Sequence, residues 1–500
     1  MQLSLDLYLE GLKFFADPMM FLFSFFGVLV GIIFGSLPGL TATMTIAVFI
    51  PFTFGVDAVV SFAFLLGLYS GAVYGGSVSA ILINIPGTPS AIATGFDGYP
   101  MCQQGRAGEA IGISTIASGL GGFFSVLVLA FAAPLVAGIA LKFSAEEYVG
   151  ITLIGLSIIA IISPGSTVKG LIAGTLGLVI GTAGLDPIGS YGRFVFDQPE
   201  LYDGVSEIPV MIGMYGLSEM LIQISDEQHV TVITQKLKNV LPSIKQVFKL
   251  IPTIFRSSIV GVIIGAIPAA GGSIASLVAY GQEKRFSKKK DLLGTGIPEG
   301  VAAPEASNNA STGGALIPMM TLGIPGDPMT AVLMGGLIIQ GLRPGPLLFQ
   351  QQMPFVSSIF ISLLVSVFFM TVLGLAGARW FSRLISTPKR FLIPTVLLFC
   401  LIGSFAINNS MFDVGVFIAA GLAGFLLRKL GFPVAPVILG LILGPMFESN
   451  LRRSLMLSQG DWTTFFSRPI SLAFILVALV VLVGPPAVDL IKKTFMQRAK

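Results

Sequence analysis

The sequence predicts an all-α polytopic membrane protein of about ten to twelve spans, built from two related, inverted halves that each hold re-entrant or broken helices. Three observations lead there. Among 500 residues only 29 are Lys or Arg and 25 are Asp or Glu, so 11% is charged while 54% is hydrophobic; about 25% charged is usual for soluble domains. Glycine, at 60 residues, outnumbers all the charges together. A pattern rich in Gly and Pro also occurs twice in the same order. At roughly 20 residues per span, the hydrophobic positions suffice for about ten to twelve helices and leave almost nothing for a soluble domain.

Apolar runs cover residues 19–34, 40–54, 58–74, 111–133, 149–162, 171–185 and 208–222, and then 257–280, 314–342, 355–378, 391–407, 414–427, 432–447 and 470–483. This divides the chain into a first transmembrane repeat at 1–225, a basic cytoplasmic linker at 226–256 and a second repeat at 257–500. Residues 1–17 lack the charged start and short apolar stretch of a cleaved signal, so the first span is expected to stay attached.

Lys and Arg collect in short cytoplasmic loops. They cluster at Lys236 to Arg256, at Lys284 to Lys290, at Arg379 to Arg390 and in the tail from Lys492 to Lys500, which places the C-terminus in the cytoplasm. The first two clusters enclose about 25 largely apolar residues. If both flanks are cytoplasmic, each arm of about 12 residues reaches about 18 Å, the middle of the bilayer, and the segment is a re-entrant hairpin. One long helix kinked at Pro268 is the competing reading.

Other functions lack their residues. His229 is the lone histidine, and Cys102 and Cys400 are far apart, so no metal centre, haem site or disulfide framework is suggested and no cofactor is expected. Dinucleotide, ATP and zinc-protease motifs are missing. An intramembrane enzyme would need a His partner for Ser77 or a pair of membrane aspartates.

The repeat is specific. Gly31-Ile-Ile-Phe-Gly-Ser-Leu-Pro38 aligns with Gly261-Val-Ile-Ile-Gly-Ala-Ile-Pro268, and Ile85-Pro-Gly-Thr-Pro89 aligns with Ile324-Pro-Gly-Asp-Pro328. Thr43 then stands opposite Ser273. Proline lacks an N–H and disfavours helix at the residue before it, so each Ile-Pro-Gly motif frees backbone groups at a depth where lipid cannot satisfy them. Such backbone has to line protein or a polar cavity. Paired interruptions in corresponding halves are the sequence sign of a midplane site for substrate and ions.

The polar residues beside the breaks are mostly neutral. Ser77, Ser79, Asn84, Gly87, Thr88, Ser90, Asn308, Ser311, Thr312, Gly326 and Thr330 are the candidates for substrate contact. Thr43, Asn84, Ser273, Glu305, Asn309 and Asp327 are the candidates for cation contact. Hydroxyl, amide and carbonyl oxygens suit a hard cation, so Na⁺ is expected and H⁺ is the alternative. Amide and hydroxyl donors with helix N-termini suit a carboxylate. Arg106, Lys169 and Arg343 are secondary candidates, since neither Ile-Pro-Gly motif holds a basic residue. Asp97, Asp186, Asp197, Glu207 and Asp413 read as interfacial loop or cap residues. Ser36, Thr41 and Ser276 read as hydroxyls bonded to their own helices, Tyr69 and Tyr74 as packing or interface residues, and Trp380 and Trp462 as interfacial anchors.

The strings from Tyr74-Gly-Gly-Ser-Val-Ser to Gly95-Phe-Asp-Gly-Tyr-Pro100, and from Ala303-Pro-Glu-Ala-Ser-Asn-Asn to Gly341-Leu-Arg-Pro-Gly345, resemble the large membrane subunit of tripartite tricarboxylate transporters, the TctA family. The resemblance extends over essentially the whole chain. It implies a multi-pass permease of the bacterial inner membrane that works with a small TctB-type membrane subunit and a periplasmic TctC-type solute-binding protein. It also implies ion-driven uptake of citrate or other organic carboxylates. Carrying a trianion into a negative-inside cell costs roughly 7 kcal/mol per 100 mV, which three co-transported cations would cancel. A stand-alone carrier or channel without a soluble receptor is the rival reading.

Overall fold

The computed structural model describes Gly11, Lys13 and residues 17–162, 166–225, 240–268, 270–384 and 389–482. His229, Lys236, Lys238 and the basic tail lie outside the described residues. In chain order the helices are α1 (Pro18–Ser36), α2 (Ala42–Phe49), α3 (Ala58–Ile83), α4 (Ile92–Gln103), α5 (Ala107–Ala140), α6 (Ala145–Ile162) and α7 (Thr167–Gly181). A short antiparallel ribbon follows, β1 (Gly184–Leu185) with β2 (Gly192–Arg193). Then come α8 (Glu207–Met211), α9 (Ser218–Ser225), α10 (Ile244–Gly265), α11 (Gly271–Phe286), α12 (Pro298–Leu322), α13 (Pro328–Ile339), α14 (Leu348–Gln351) and α15 (Met353–Leu384). The chain continues with α16 (Lys389–Ala406), α17 (Met411–Lys429), α18 (Ala435–Leu457), α19 (Thr464–Ser467) and α20 (Pro469–Leu482). Among the described residues, seven helices are long and apolar enough to cross a membrane: α1, α3, α5, Glu207–Ser225, α10, α15 and α17.

Helix starts follow local chemistry. Asp17, Thr41, Asp57, Ser166 and Ser243 cap α1, α2, α3, α7 and α10 by accepting first-turn N–H groups, and Pro18, Pro298 and Pro328 sit where a missing N–H costs nothing.

Packing divides the chain into two compact units, Met1–Gly138 with Tyr215–Ser410, and Ile139–Met214 with Met411–Lys500. In the first, α1 lies along α3, and α10 lies along α12. Both contacts are backbone to backbone. Gly31 faces the carbonyl of Leu68, Gly35 that of Ala72 and Gly75 that of Ile32; Gly261 faces Ser307, Gly265 faces Ser311 and Gly314 faces Val262. The correspondence is residue for residue: 261 − 31 and 262 − 32 both give 230, and 307 − 68 and 314 − 75 both give 239. Without water or a hydrophobic drive between helices in lipid, small residues that admit close approach are the main source of such packing.

The breaks then cross over. α11, which follows the second Gly-x₃-Gly helix, packs on the turn Pro89–Ala91 and on α4, while α2, which follows the first, packs on α13. The long apolar run expected over 314–342 is interrupted at Gly323 to Asp327. The 257–280 segment also differs from expectation. Its helices are 22 and 16 residues long, because α10 begins at Ile244 and carries Lys245, Lys249 and Arg256 within it. The added length of α10 is its basic N-terminal part; beyond it the chain turns back, and Glu283 near the end of α11 bonds Arg256 and Thr253 of α10, so the two arms form an antiparallel helical hairpin.

In the second unit α18 packs on α6 and α7, with Gly440 against the carbonyl of Gly174, and α17 packs on α8. The ribbon is held by Asp186, whose carboxylate accepts the N–H groups of Gly189 at 2.6 Å and Ile188 at 3.0 Å and pairs with Arg452 at 2.6 Å. Arg193 forks onto Glu448 at 2.6 and 3.1 Å.

Two expectations follow. Gly71→Val drives a side chain into the carbonyl of Val28 and should destabilise the protein by about 3 kcal/mol or more, whereas Gly281→Ala, which faces open space, should be near neutral; detergent-resistant unfolding curves of the two variants check this. The backbone N–H groups of Gly189 and Ile188, with Arg452, hold the Asp186 carboxyl down to about 2. The folded value is below the ordinary one near 4, so these contacts support the loop above pH ~4 and are lost as pH falls toward 2. Proteolytic nicking between residues 184 and 204 should rise across that window in the wild type and be pH-independent there in Asp186→Asn.

Candidate functional site

Glu305 lies at the centre of the first unit, fully buried on α12. Four hydroxyls from three other helices donate to it. Oε1 accepts from Ser77 of α3 at 2.5 Å and from Thr94 of α4, and Oε2 accepts from Ser114 at 3.0 Å and Ser118 at 2.8 Å, both on α5. A carboxylate is acceptor-only, so this set satisfies both oxygens without a basic partner. A carboxylate ringed by neutral hydroxyls is a donor set for a hard cation and equally a place to hold a proton.

Asp327 ends the second Ile-Pro-Gly motif and caps α13. Oδ1 accepts Thr330 N at 2.7 Å and Thr330 Oγ1 at 2.8 Å, while the Asp327 N–H donates back to Thr330 Oγ1 at 2.9 Å. Oδ2 accepts the Tyr69 hydroxyl of α3 at 2.8 Å. Gly271, at φ +58°, lets the start of α11 come against this side chain, where a Cβ would meet Asp327 Cβ at 2.9 Å.

The two motifs have the same local build. α3 ends on Asn84 at φ +56° and α12 on Gly323 at φ +71°, both left-handed, directly before Ile-Pro-Gly. Gly87 then lies against the carbonyl of Gly35, and Gly326 against that of Gly265. Neither glycine has room for a side chain.

Polar side chains with open valences meet between the motifs. A Cβ on Gly272 would meet Asn308 Oδ1 at 2.7 Å, Ser311 Oγ at 2.9 Å and Ser90 Cβ at 3.3 Å, so three candidates from both halves converge there. Thr88 and Ser90 share a hydroxyl bond of 3.0 Å. Asn308 and Asn309 are 1% exposed, yet their Nδ2 atoms have no hydrogen-bond partner. No side chain caps α11 at Ala270, so its first-turn N–H groups are not taken up by a cap, and Gly272 of that turn lies against Asn308 and Ser311. Unsatisfied buried donors cost about 1–3 kcal/mol each, which a bound anion or polar ligand would relieve.

The remaining candidates are distributed. Ser79, Ser311 and Thr312 donate to their own helices, at Gly76, Asn308 and Asn309. Thr43 is buried on α2, Ser273 half-buried on α11 and Asn84 exposed. Ser36 and Ser276 bond their own helices and Thr41 caps α2. Arg106 is held by Glu109 at 2.8 and 2.9 Å.

Some readings change. Tyr69 is fully buried, as a packing residue is, and its hydroxyl in addition bonds Asp327. Tyr74 bonds Thr115 at 2.7 Å. Asp97 is buried in α4 and accepts N–H groups of Gly294, Gly296 and Ile297 and the Tyr280 hydroxyl, so it holds the loop that enters α12 rather than its own helix end. Ser114 and Ser118 were missed, although their i, i+4 spacing in an apolar helix puts two hydroxyls on one face. A separate cavity of about 470 Å³, lined by Phe21, Phe123, Val365, Phe368 and neighbouring apolar residues, lacks the donors an anion needs.

The model of the tripartite tricarboxylate transporter TctA family matches residues 21–439. An Agrobacterium vitis protein described as an uncharacterized 52.8 kDa protein in the TAR-I ttuC' 3'region is 37% identical over 473 residues, which is 95% of this chain and 94% of that protein. A second A. vitis protein, described as an uncharacterized protein in the TAR-II ttuC' 3'region, is 37% identical over 220 residues, 44% of this chain and 91% of its own length. No solved structure matches the chain.

Glu305→Ala would leave the hydroxyls of Ser77, Thr94, Ser114 and Ser118 without their acceptor, at about 1 kcal/mol or more each. It should lower thermal stability in detergent by several degrees, and Glu305→Gln, which keeps one carbonyl acceptor, should lower it by less; equal melting of Glu305→Ala and wild type would contradict the cage.

Proposed function

Because the chain belongs to the tripartite tricarboxylate transporter TctA family, we propose that it is the permease subunit of an ion-gradient-driven importer of organic carboxylates in the bacterial inner membrane. It would work with a TctB-type small membrane subunit and receive substrate from a periplasmic TctC-type binding protein. The observation that carries the site is the pair of buried, unpartnered amide donors of Asn308 and Asn309 beside the uncapped start of α11.

In this reading a substrate carboxylate takes the Asn308 amide, the α11 N–H groups and the Thr88–Ser90 hydroxyls. Thr330 and Ser311 shape its surroundings. Gly87 and Gly326 keep the two breaks closed against their partner helices. Cations, Na⁺ before H⁺, use oxygens of Glu305, Asp327, Thr43, Ser273, Asn84 and Asn309, and cancel the charge that would otherwise oppose entry by about 2.3 kcal/mol per charge per 100 mV. The matched glycine contacts of the α1–α3 and α10–α12 pairs, with their crossed breaks, support two repeats in an inverted relation and alternating access between them.

Uptake of labelled citrate or a related carboxylate by proteoliposomes holding both membrane subunits, with receptor and an inward Na⁺ gradient, tests this. Asn308→Ala and Gly272→Val should each reduce uptake at least tenfold with the protein still in the membrane, and Asp327→Asn should flatten the dependence on Na⁺. Full uptake by all three variants would reject the site, and full uptake without receptor would favour a stand-alone carrier.

A further inference from the structure

Among the described residues, the loop from residue 184 to 204 in the second unit holds four of the seven non-glycine positions with positive φ. It presents Phe196 at 76% exposure, Phe194 at 58% and Tyr191 at 56%. Apolar rings of this size in water usually mark an interaction site. The backbone behind them is forced: Ser190, Phe194, Phe196 and Asp197 all have φ between +46° and +57°, a region that side-chain-bearing residues seldom enter. Such conformations persist only where the surroundings over-determine them. Here they do. Asp186 grips the first turn and Arg452, Arg193 forks onto Glu448, and Leu185 N donates to the carbonyl of Tyr202 at 3.0 Å. The loop is a braced platform that holds rings out in a fixed arrangement, and none of the proposed transport site uses it.

Its side of the membrane follows from charge. At the opposite end of α7, Lys169 Nζ bonds the carbonyl of Leu430, next to Arg428 and Lys429 in the last turn of α17. Basic residues stand at both ends of these helices, Arg193, Arg452 and Arg453 at the loop end included, so the side is set by the chain that follows: α20 leads into Lys492, Lys493, Arg498 and Lys500, a basic stretch that marks the cytoplasm. The start of α20, and with it the end of α18 that carries the Asp186–Arg452 cluster, then faces outward. Within residues 194–204 the charges are acidic, Asp197, Glu200 and Asp203, all exposed, while Arg193 and Arg452 at the base of the loop are held by Glu448 and Asp186. Acidic residues disfavour adsorption of this loop onto anionic headgroups. They equally disfavour a second copy of the chain docked through the same patch, which would set like charges face to face.

We propose that this loop is the outer docking platform for the soluble solute-binding protein, which would receive the rings of Phe194, Phe196 and Tyr191 in apolar pockets rimmed by Lys and Arg. Aromatic anchors inside a charged rim are the usual division of labour at an interface, the rings setting the lifetime of the complex and the rim its rate of formation. This inference rests on the tripartite reading above and adds the place of contact and its chemistry.

The experiment is uptake by proteoliposomes containing both membrane subunits, titrated with the soluble receptor at fixed labelled substrate. For Phe194→Ser with Phe196→Ser the half-saturating receptor concentration should rise at least tenfold with the maximal rate retained. Asp197→Lys with Glu200→Lys should raise it too, and should remove the increase that salt produces in the wild type. A photo-cross-linking residue at Phe196 in intact cells should capture the receptor. Unchanged half-saturation in both double variants, or capture of lipid or the small membrane subunit instead, would overturn the docking assignment while leaving a receptor-dependent transporter. Wild-type uptake that ignores the receptor would reject the tripartite reading itself and this assignment with it.

Discussion

Backbone that leaves a helix inside a membrane has to find its hydrogen bonds within the protein, and the structure around the two Ile-Pro-Gly motifs is organised by that constraint. In the first motif the freed N–H of Gly87 donates to the carbonyl of Gly76 at 3.1 Å. In the second, Gly323 and Ile324 turn back onto the carbonyls of Met319 and Pro318, and the Asp327 N–H goes to the Thr330 hydroxyl. These bonds require the chain after each break to lie against a helix backbone. That is possible only because Gly35, Gly76, Gly87, Gly265 and Gly326 have no side chains to hold it away.

The same condition explains the hydroxyls. A carboxylate as deep as Glu305 would be intolerable in hydrocarbon, and no Lys or Arg is shown bonded to it. Ser77, Thr94, Ser114 and Ser118 replace a cation with four neutral donors, and in doing so fasten α3, α4 and α5 to α12. Tyr69 does the corresponding service for Asp327. Asn308 and Asn309 stand apart among the residues beside the breaks because their amide donors are left open, next to a helix start that no side chain caps.

Much of this was legible before any coordinates. Proline chemistry alone places breaks at residues 86–89 and 325–328, and both are there. Offsets of 230 and 239 read from the strings reappear as pairs of touching atoms. The partners of the acids were not legible. Nothing in the neighbourhood of Glu305 names Ser114 or Ser118, which are about 190 residues away, and Asp97 looks like a surface aspartate until the glycine loop before α12 is wrapped around it. Tyr69 reads as bulk until its hydroxyl is seen to reach Asp327. The length of α10 was misjudged because hydropathy ends at Ser257, while a helix continues through Lys245, Lys249 and Arg256, whose long stems can carry their charge outward.

Sequence by itself determined the solvent, the positions of the broken backbone, the twofold order of the motifs and the neutral character of the polar residues, since each follows from local covalent chemistry or composition. Tertiary structure decided which of those polar residues are occupied and which are open. Ser77, Thr330 and Asp327 are engaged with partners that only folding brings near, whereas Asn308 and Asn309 are buried without any. Hydrogen-bond satisfaction is a property of the assembled interior, because a donor's partner there comes from another helix and is specified by packing.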